Sequence, residues 1–303
     1  MILCAGESLI DMVPDAGGFR PLAGGAVYNT AIALGRMGAK TGYLWPISRD
    51  QFGEVLLSPL AEAGVDTTLC PRSDRLTTLA FVRLKNGDAR YSFYDEASAG
   101  RMFAETDLPD PLPALDALFI GGISLVPDPC GATVEALVAR AKAAGTVVMI
   151  DPNIRPFFIT DAPAYRERLT RLLAQADMVK LSRDDLDWLW PETGSEDVVT
   201  SLLNRGPKVV FVTEGGTGAT AHTAGSRAMM PAERVTVSDT IGAGDTFNAG
   251  VLAALSRDGA LTPDALAGID EGMLRRALSL GIRAAAVTVS RPGANPPWLD
   301  ELD

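Results

Sequence analysis

A stretch near the end of the chain, DTIGAGDTFNAGVLAAL from Asp239 to Leu255, carries residues suited to chemistry on an anion. Its Gly242-Ala243-Gly244 turn offers backbone N–H groups with almost no side chain in the way. Ala and Leu follow at helical spacing, so we expect a helix whose N-terminus adds further N–H groups and the positive end of its dipole. Such a turn is suited to bind phosphate.

Asp245 lies in the first turn of this predicted helix. A carboxylate there can simply cap free N–H groups. Beside an anion-binding turn, it can also accept the proton of a hydroxyl group that attacks phosphorus. The one histidine of the chain, His222, lies in a predicted hairpin strand, and we expect it to be structural or peripheral. A carboxylate is therefore the expected general base if the protein is an enzyme.

Two other phosphate-binding motifs do not fit this chain. The Walker motif requires a Gly-Lys dipeptide, which the sequence does not contain. The dinucleotide fingerprint requires a third glycine after Gly242 and Gly244, but Phe247 occupies that position. That fingerprint also opens the first βαβ unit of a domain, whereas this turn lies late in the chain.

The composition is ordinary for a globular enzyme and restricts the partners. The 303 residues are 47% hydrophobic and 21% charged, and the net charge of −11 disfavours nucleic acids and anionic membranes. The three cysteines, Cys4, Cys70 and Cys130, have no paired spacing and predict buried thiols in a reducing compartment. The N-terminus does not resemble a signal peptide, and no apolar run approaches the roughly 20 residues of a membrane helix. We therefore expect a cytoplasmic protein.

The order of the predicted elements indicates an α/β fold. From Asp116 onward, apolar strands alternate with helical segments, a pattern typical of a mostly parallel sheet covered on both faces. Ligands of such sheets bind beyond the carboxyl ends of the strands. The segments IDPN, VTEGG and SDT are expected at such ends, and SDT leads directly into the Gly-Ala-Gly turn.

A β-rich segment interrupts this pattern. TTLAFVRL and ARYSFYDE are joined by Lys85-Asn86-Gly87-Asp88, and Asn-Gly is a strong hairpin signal. The segment from Thr77 to Asp95 therefore predicts a lid inserted into the α/β body. Its aromatic residues fall on both faces of the hairpin, so we expect it to close over a ligand, to pack against the lid of a second copy in a homodimer, or both. Packing on its own domain is the alternative.

The sequence resembles the PfkB (ribokinase-like) family of sugar kinases over essentially its whole length. DTIGAGDTFNAGVL matches the C-terminal signature of that family, and GGAVYNTAIALGRMG is similar to its sugar-side motif. GESLIDM, DPNIRP and VTVSRPGANPP most resemble the bacterial fructokinases. The resemblance implies a three-layer α/β/α fold with a mostly parallel central sheet and a small β lid. It also implies one kinase domain, 1–303, in which the lid at about 77–95 includes nearby N-terminal segments.

The resemblance implies roles for particular residues. Asp245 would be the base, and the turn of Gly242, Ala243 and Gly244 would stabilise phosphate charge together with Arg155. The sugar would be bound by Asp11, Gly24, Gly25, Asn29 and Asn153. ATP and Mg²⁺ would be bound by Ser182, Asp185, Thr213, Gly215, Gly216 and Gly218, with water between the metal and the first two. A monovalent cation such as K⁺ would lie on the carbonyls of Asp239, Ile241, Thr288 and Gly293.

The predicted function is ATP-dependent phosphorylation of a sugar, with fructose converted to fructose 6-phosphate. The alternative on the same fold is a 2-keto-3-deoxygluconate kinase or another sugar kinase of the family. Arg83 and Arg101 are the candidate cations for the carboxylate of ketodeoxygluconate. The alternative from another class is a non-catalytic regulator that binds a sugar or a nucleotide. A base at Asp245 argues against this, because a pure binding protein does not need one.

Overall fold

A computed structural model describes residues 1–85 and 88–302, without the side chains of residues 83–90. The predicted Asn86-Gly87 turn therefore lies outside the described residues. The strands are β1 Ile2–Ala5, β2 Leu9–Asp15, β3 Gly18–Gly24, β4 Thr41–Leu44, β5 Ile47–Ser48, β6 Arg72–Ser73, β7 Leu79–Lys85, β8 Asp88–Tyr94, β9 Ala117–Gly121, β10 Val147–Asp151, β11 Met178–Ser182, β12 Val209–Thr213, β13 Ala219–His222 and β14 Arg227–Met230. The α-helices are α1 Ala26–Arg36, α2 Gln51–Glu62, α3 Cys130–Ala143, α4 Ala162–Gln175, α5 Arg183–Leu189, α6 Ser195–Leu203, α7 Ala243–Arg257, α8 Pro263–Ala267 and α9 Glu271–Val289.

The main sheet has the strand order β14-β13-β12-β11-β10-β9-β1-β4. The strands from β12 to β4 are parallel, and β13 and β14 add an antiparallel edge. Helix α7 packs against both α1 and α9. Helix α3 contacts α4 and strands β9 and β10, and α4 also contacts β10. The parallel strands are buried apolar runs, as expected when helices cover both faces. The predicted three-layer α/β/α fold is confirmed.

A second sheet, the lid sheet, has the order β3-β2-β7-β8. The predicted hairpin supplies β7 and β8, and the N-terminal segments that were expected nearby supply β2 and β3. The hairpin strand begins at Leu79 rather than at Thr77. Thr77 instead uses its N–H and its hydroxyl to bind both carboxylate oxygens of Asp50, each at 2.8 Å. Asp50 caps helix α2, so this contact ties the start of the lid to the body of the protein.

The prediction that Ser238-Asp239-Thr240 follows the end of a strand is wrong. Residues 231–239 form no strand, so Ser238-Asp239-Thr240 does not follow one. The N–H groups of Ser238 and Asp239 bind the carbonyl of Val289, at 2.8 and 3.2 Å, instead of a neighbouring strand. The segment before the Gly-Ala-Gly turn is thus held by the C-terminus of α9.

Helix α7 lies deep in the protein. Every residue from Asp245 to Leu255 is buried, because α1 packs against the helix as well as α9. The small side chains of this stretch allow that close packing, and the burial removes water from Asp245. The three cysteines are unpaired and buried, as predicted. In the described part of the chain, every helix is too short or too polar to cross a membrane.

Candidate active site

A cleft of about 1810 Å³ lies between the lid sheet and the carboxyl ends of the parallel strands. This is roomier than the ~300–1,000 Å³ of a typical site for one small molecule. Most of the predicted site residues line it: Asp11, Gly24, Gly25, Asn29, Asn153, Arg155, Ser182, Asp185, Thr213, Gly215, Gly216, Gly218, Ile241, Gly242, Ala243, Gly244, Asp245 and Gly293. Asp239 and Thr288, both predicted as cation ligands, lie outside the lining.

Two asparagine amides hold the carboxylate of Asp245. Asn29 Nδ2 donates a hydrogen bond to Oδ2 at 2.9 Å, and Asn153 Nδ2 donates one to Oδ1 at 3.2 Å. Thr30 Oγ1 also donates to the backbone carbonyl of Asp245, at 3.2 Å. The sequence suggested sugar contacts for both asparagines, and their position in the cleft is compatible with that. The structure adds a second role, which is to orient the carboxylate.

The environment of Asp245 makes its carboxylate a stronger base than usual. Burial raises its pKa to about 6, whereas the Asn29 hydrogen bond lowers the pKa. The Asp151 carboxylate also raises it, and the charges of Arg155 and Lys180 lower it. A carboxyl group with this pKa is ionised at neutral pH and still accepts a proton more readily than an exposed aspartate.

The Gly-Ala-Gly turn begins helix α7 as predicted, one residue before Gly244. Gly242 is the N-cap, with a left-handed backbone at φ 79°, and no side chain caps the helix there. The N–H of Ala243 donates to the carbonyl of Thr240 at 3.4 Å, so the N–H groups that follow it in α7 are the ones open to an anion in the cleft. A Cβ at Gly244 would come within 3.3 Å of Lys180 Nζ, so an ammonium group lies directly against the turn.

Lys180 was not identified from the sequence. It is almost fully buried in β11, and its Nζ lies 3.1 Å from Asp151 Oδ2. Asn248 Nδ2 donates to the same oxygen at 2.7 Å. Burial lowers the pKa of Lys180, but the carboxylates of Asp151 and Asp185 outweigh it and raise that pKa, so the lysine is charged. The signal for it in the sequence was a single cation within the apolar strand DMVKLS.

Arg155 and Asp11 both line the cleft. Arg155 Nη1 donates only to the carbonyls of its own loop, at 3.1 and 3.4 Å, so its guanidinium has no carboxylate partner in the described part of the chain. Asp11 lies within β2 of the lid sheet, and burial raises its pKa to about 6. A Cβ at Gly24 would come within 2.6 Å of Asp11 Oδ2, so this glycine leaves room for the carboxylate.

Aromatic rings connect the lid sheet to the body. Tyr91 of β8 stacks on Phe157 with the ring centroids 5.4 Å apart and the planes 8° from parallel. Phe93 contacts both Phe157 and Phe158. Tyr91, Phe93 and Phe157 line the cleft. The inner face of the lid sheet is therefore held against the loop that carries Arg155.

Ser182 and Asp185 form a capping box at the start of α5. Ser182 Oγ and N each donate to Asp185 Oδ2, at 2.6 and 2.8 Å, and Ser182 Oγ accepts from Asp185 N. Asp185 Oδ1 accepts from Ile154 N at 2.8 Å, which ties the capping box to the loop of Arg155. Both carboxylate oxygens are thus engaged by protein groups. Contact with a metal through water fits this geometry better than direct ligation.

The comparison with known protein families decides the identity. The model of the pfkB family of carbohydrate kinases matches residues 1–301. This chain belongs to the pfkB family. The chain is 49% identical over 280 residues to a fructokinase of Rhizobium leguminosarum bv. trifolii, covering 91% of this chain and 86% of that protein.

Solved structures agree with this assignment. The fructokinase of Xylella fastidiosa with bound ATP has a TM-score of 0.91 and 30% identity, covering 99% of this chain and 96% of that one. The aminoimidazole riboside kinase of Salmonella enterica, in complex with aminoimidazole riboside and an ATP analogue, has a TM-score of 0.85 and 26% identity, covering 99% and 97%. The predicted membership and the predicted similarity to bacterial fructokinases are confirmed.

Some residues of this pfkB kinase that the sequence singled out lie elsewhere. Arg101 does not line the cleft, because it binds Asp95 Oδ2 at 2.8 Å and the carbonyl of Asp128 at 3.1 Å. The side chain of Arg83 lies outside the described residues. His222 is in strand β13, with its Nε2 2.9 Å from Thr220 Oγ1, and it is absent from the cleft lining.

The predicted cation site of the kinase contains a carboxylate that joins two loops. Asp239 Oδ1 accepts from Ile241 N at 3.1 Å, and Oδ2 accepts from Gly293 N at 2.9 Å. The carbonyls of Thr288 and Gly293 already accept backbone hydrogen bonds from Arg291 and Asn295. Each carbonyl oxygen has a second lone pair, so ligation of a cation stays a prediction.

Proposed function

We propose that this protein is an ATP-dependent fructokinase that converts fructose to fructose 6-phosphate. The observation that carries the proposal is the position of Asp245, whose carboxylate lies beside the N–H groups of the Gly242–Gly244 turn within one cleft. A base and an anion-binding turn are the parts that phosphoryl transfer requires. The 49% identity to a bacterial fructokinase supports fructose as the sugar.

In the proposed reaction, Asp245 accepts the proton of the sugar's primary hydroxyl. The hydroxyl oxygen forms a bond to the γ-phosphorus of ATP while the bond to the bridging oxygen breaks, and ADP leaves with that electron pair. Asn29 and Asn153 hold the carboxylate during this step, so little reorganisation is needed. The proton on Asp245 then returns to solvent.

The charge that develops on the phosphoryl group is met by preorganised donors. The N–H groups of the Gly-Ala-Gly turn and the helix dipole of α7 point to the same place. Arg155 has a guanidinium that can bind phosphate bidentately. Bound Mg²⁺ would neutralise charge on the ATP phosphates, and Asp185 would contact it through water.

We place ATP along the turn from Thr213 to Gly218 and the wall formed by the end of α9. Both line the same cleft as Asp245, and the glycines of the turn leave room for a ligand close to the backbone. The sugar would lie between Asp11 of the lid sheet and Asn29 and Asn153 of the body. Closing the lid over it would exclude water that could otherwise accept the phosphoryl group.

Several finer assignments belong to this proposal. A monovalent cation such as K⁺ would lie near Asp239, where the carboxylate already fixes two of the predicted loops. The exposed outer face of the lid sheet supports a homodimer. The unpaired cysteines and the family suggest a cytoplasmic enzyme.

The rival substrate, 2-keto-3-deoxygluconate, needs a cation for its carboxylate. Arg101 is engaged away from the cleft, which weakens this rival. A regulator without catalytic activity is disfavoured because it would have no use for a buried, oriented carboxylate at Asp245.

The experiment that tests the function is an assay of ADP release with Mg²⁺, ATP and a panel of sugars. Fructose should give the highest kcat/KM, compared with ribose, ketodeoxygluconate, adenosine and a blank without sugar. The Arg101→Ala variant serves as a control and should keep that order. A preference for ketodeoxygluconate that Arg83→Ala or Arg101→Ala abolishes would contradict fructose, and no sugar-dependent release at all would support a regulator.

A further inference from the structure

Glu7 is a buried carboxyl group on the wall of the cleft for which the proposed reaction has no use. It lies just after strand β1 and is only 6% exposed. Its Oε1 accepts a hydrogen bond from Ala26 N at 3.1 Å, and its Oε2 accepts one from Ser124 N at 3.2 Å. One side chain therefore links the start of helix α1 to the turn that follows strand β9.

Glu7 provides the negative charge at the N-terminus of helix α1. Its N-cap is Gly25, which has no side chain, and its first turn contains no acidic residue. A carboxylate at a helix N-terminus satisfies free N–H groups and complements the helix dipole. Glu7, just after strand β1, supplies the carboxylate that α1 lacks in its own sequence.

Two glycines fit closely around Glu7. A Cβ at Gly122, where φ is 69°, would come within 2.0 Å of Glu7 Oε1. A Cβ at Gly25, where φ is 122°, would come within 2.3 Å of the Glu7 backbone oxygen. Because neither position has room for a Cβ, both must be glycine for Glu7 to pack this closely between α1 and the turn after β9.

The charge of Glu7 is balanced by backbone N–H groups and not by a cation of the described residues. Burial raises its pKa to about 7, the Ser124 and Ala26 N–H groups lower it, and the carboxylate of Asp245 raises it. Burying an acidic group costs folding free energy unless hydrogen bonds replace its lost hydration. The first turn of α1 carries Asn29, whose amide binds Asp245, and the N-cap Gly25 directly before it lines the cleft.

We propose that Glu7 is a positioning residue of the sugar side of the active site. Its carboxylate fixes the first turn of α1, which holds Asn29 against Asp245 and the Gly24-Gly25 turn against the sugar. The expected effect on kinetics rests on the proposed function, whereas the expected effect on the first turn of α1 does not.

The test is the Glu7→Gln variant, assayed at about pH 8, where the wild-type carboxyl group is ionised. Glutamine has one acceptor oxygen, so its amide NH₂ must face either Ala26 N–H or Ser124 N–H, and one of these hydrogen bonds is lost. We expect kcat/KM for the sugar to fall by about tenfold to a hundredfold, through both KM and kcat, as for other misplaced site groups. KM for ATP should stay unchanged. Hydrogen exchange of the amides in residues 26–32 should become faster.

The control is Asp161→Asn, which likewise converts a capping carboxylate to an amide, at helix α4 and away from the cleft. Asp161 Oδ1 accepts from Ala164 N at 3.0 Å, and this variant should keep wild-type kinetics for both substrates. If Glu7→Gln does not fold, Gly122→Ala displaces the same carboxylate and should give the same kinetic pattern.

Wild-type values for the sugar in Glu7→Gln, with unchanged exchange in α1, would overturn the inference. Equal losses for sugar and ATP would also overturn it, because they indicate a general structural role. A wild-type protein inactive on every sugar would contradict the proposed function alone, and the exchange measurement would still decide the role of Glu7.

Discussion

Asn153 donates its side-chain amide to Asp245 Oδ1 at 3.2 Å, from a loop 92 residues earlier in the chain. Asn153 has a left-handed backbone at φ 43°, and its own N–H binds Asp151 Oδ1 at 3.1 Å. Asparagine tolerates this conformation better than most residues. The backbone geometry of the loop after β10, together with the bond from Asn29, therefore orients the carboxylate of the proposed base.

Replacing Asp245 with asparagine should abolish most of the activity and preserve the fold. In Asp245→Asn the side chain keeps its size but cannot take up the hydroxyl proton, so kcat should fall by roughly 10²- to 10⁴-fold. Binding of ATP and sugar should change far less, because the anion-binding turn is backbone. Steady-state kinetics and a melting curve together check this. A helix cap alone would cost about 0.5–2 kcal/mol of stability and leave turnover intact.

The pH profile of turnover should depend on Asn29. The base must be ionised, so kcat should fall as the pH is lowered through about 6, the pKa of Asp245. The hydrogen bond from Asn29 lowers that pKa, so its removal in Asn29→Ala should raise the pKa and move the acid limb to higher pH. The measurement is kcat against pH for both proteins, with Asp161→Asn as an unshifted control. An acid limb that stays in place or moves to lower pH would contradict this.

Loss of Lys180 should destabilise the protein, because Asp151 would stay buried without its partner. The two side chains are only 4% and 2% exposed. Removing one member of a buried ion pair costs about 3–5 kcal/mol, so Lys180→Met should lower the unfolding free energy by that order. The double variant with Asp151→Asn should recover part of it. Urea unfolding measures both.

The exposed pair Arg275–Glu271 provides the comparison for Lys180. Both side chains are about half exposed, and Arg275→Met should have little effect on stability. If Lys180→Met is equally mild, the buried pair does not stabilise the fold as described.

The lid sheet should mediate a homodimer through its outer face. Phe19 and Tyr94, at 46% and 62% exposure, flank Phe81, with ring centroids 5.0 and 5.3 Å from it. An exposed aromatic cluster on a small sheet is typical of a surface that packs against a partner. Light scattering at tens of micromolar protein should show a dimer that Tyr94→Glu dissociates. Met229→Glu, on the edge strand β14, is the matched control and should stay dimeric; a monomeric wild type would refute the assembly.

The sequence predicted the features that depend on local pattern. The start of α7 was predicted to within one residue, because the turn glycines and the helical spacing that define it lie within one short stretch of sequence. The hairpin strands were predicted for a similar reason. The strand before Asp239 was predicted wrongly, because whether an apolar segment joins a sheet depends on which neighbour offers hydrogen bonds. Here the C-terminus of α9 offers them.

Contacts between distant segments could not be predicted from the sequence. Asn29 and Asn153 were candidates for sugar contacts, but their shared bond to Asp245 depends on how α1, the loop after β10 and α7 pack. Lys180 gave only the signal of one cation in an apolar strand, and its partner Asp151 was indistinguishable from a turn residue. Glu7 gave no signal of its role, since the helix it caps begins 19 residues later.

The bond between Asn29 and Asp245 joins positions 216 residues apart, and this has a consequence for biosynthesis. Asn29 leaves the ribosome well before the proposed base Asp245 and the turn beside it, and α9 must still follow to cover α7. A nascent chain therefore cannot assemble the proposed catalytic centre until α7 and α9 have been synthesised, and we expect chains that stop before α9 to be inactive.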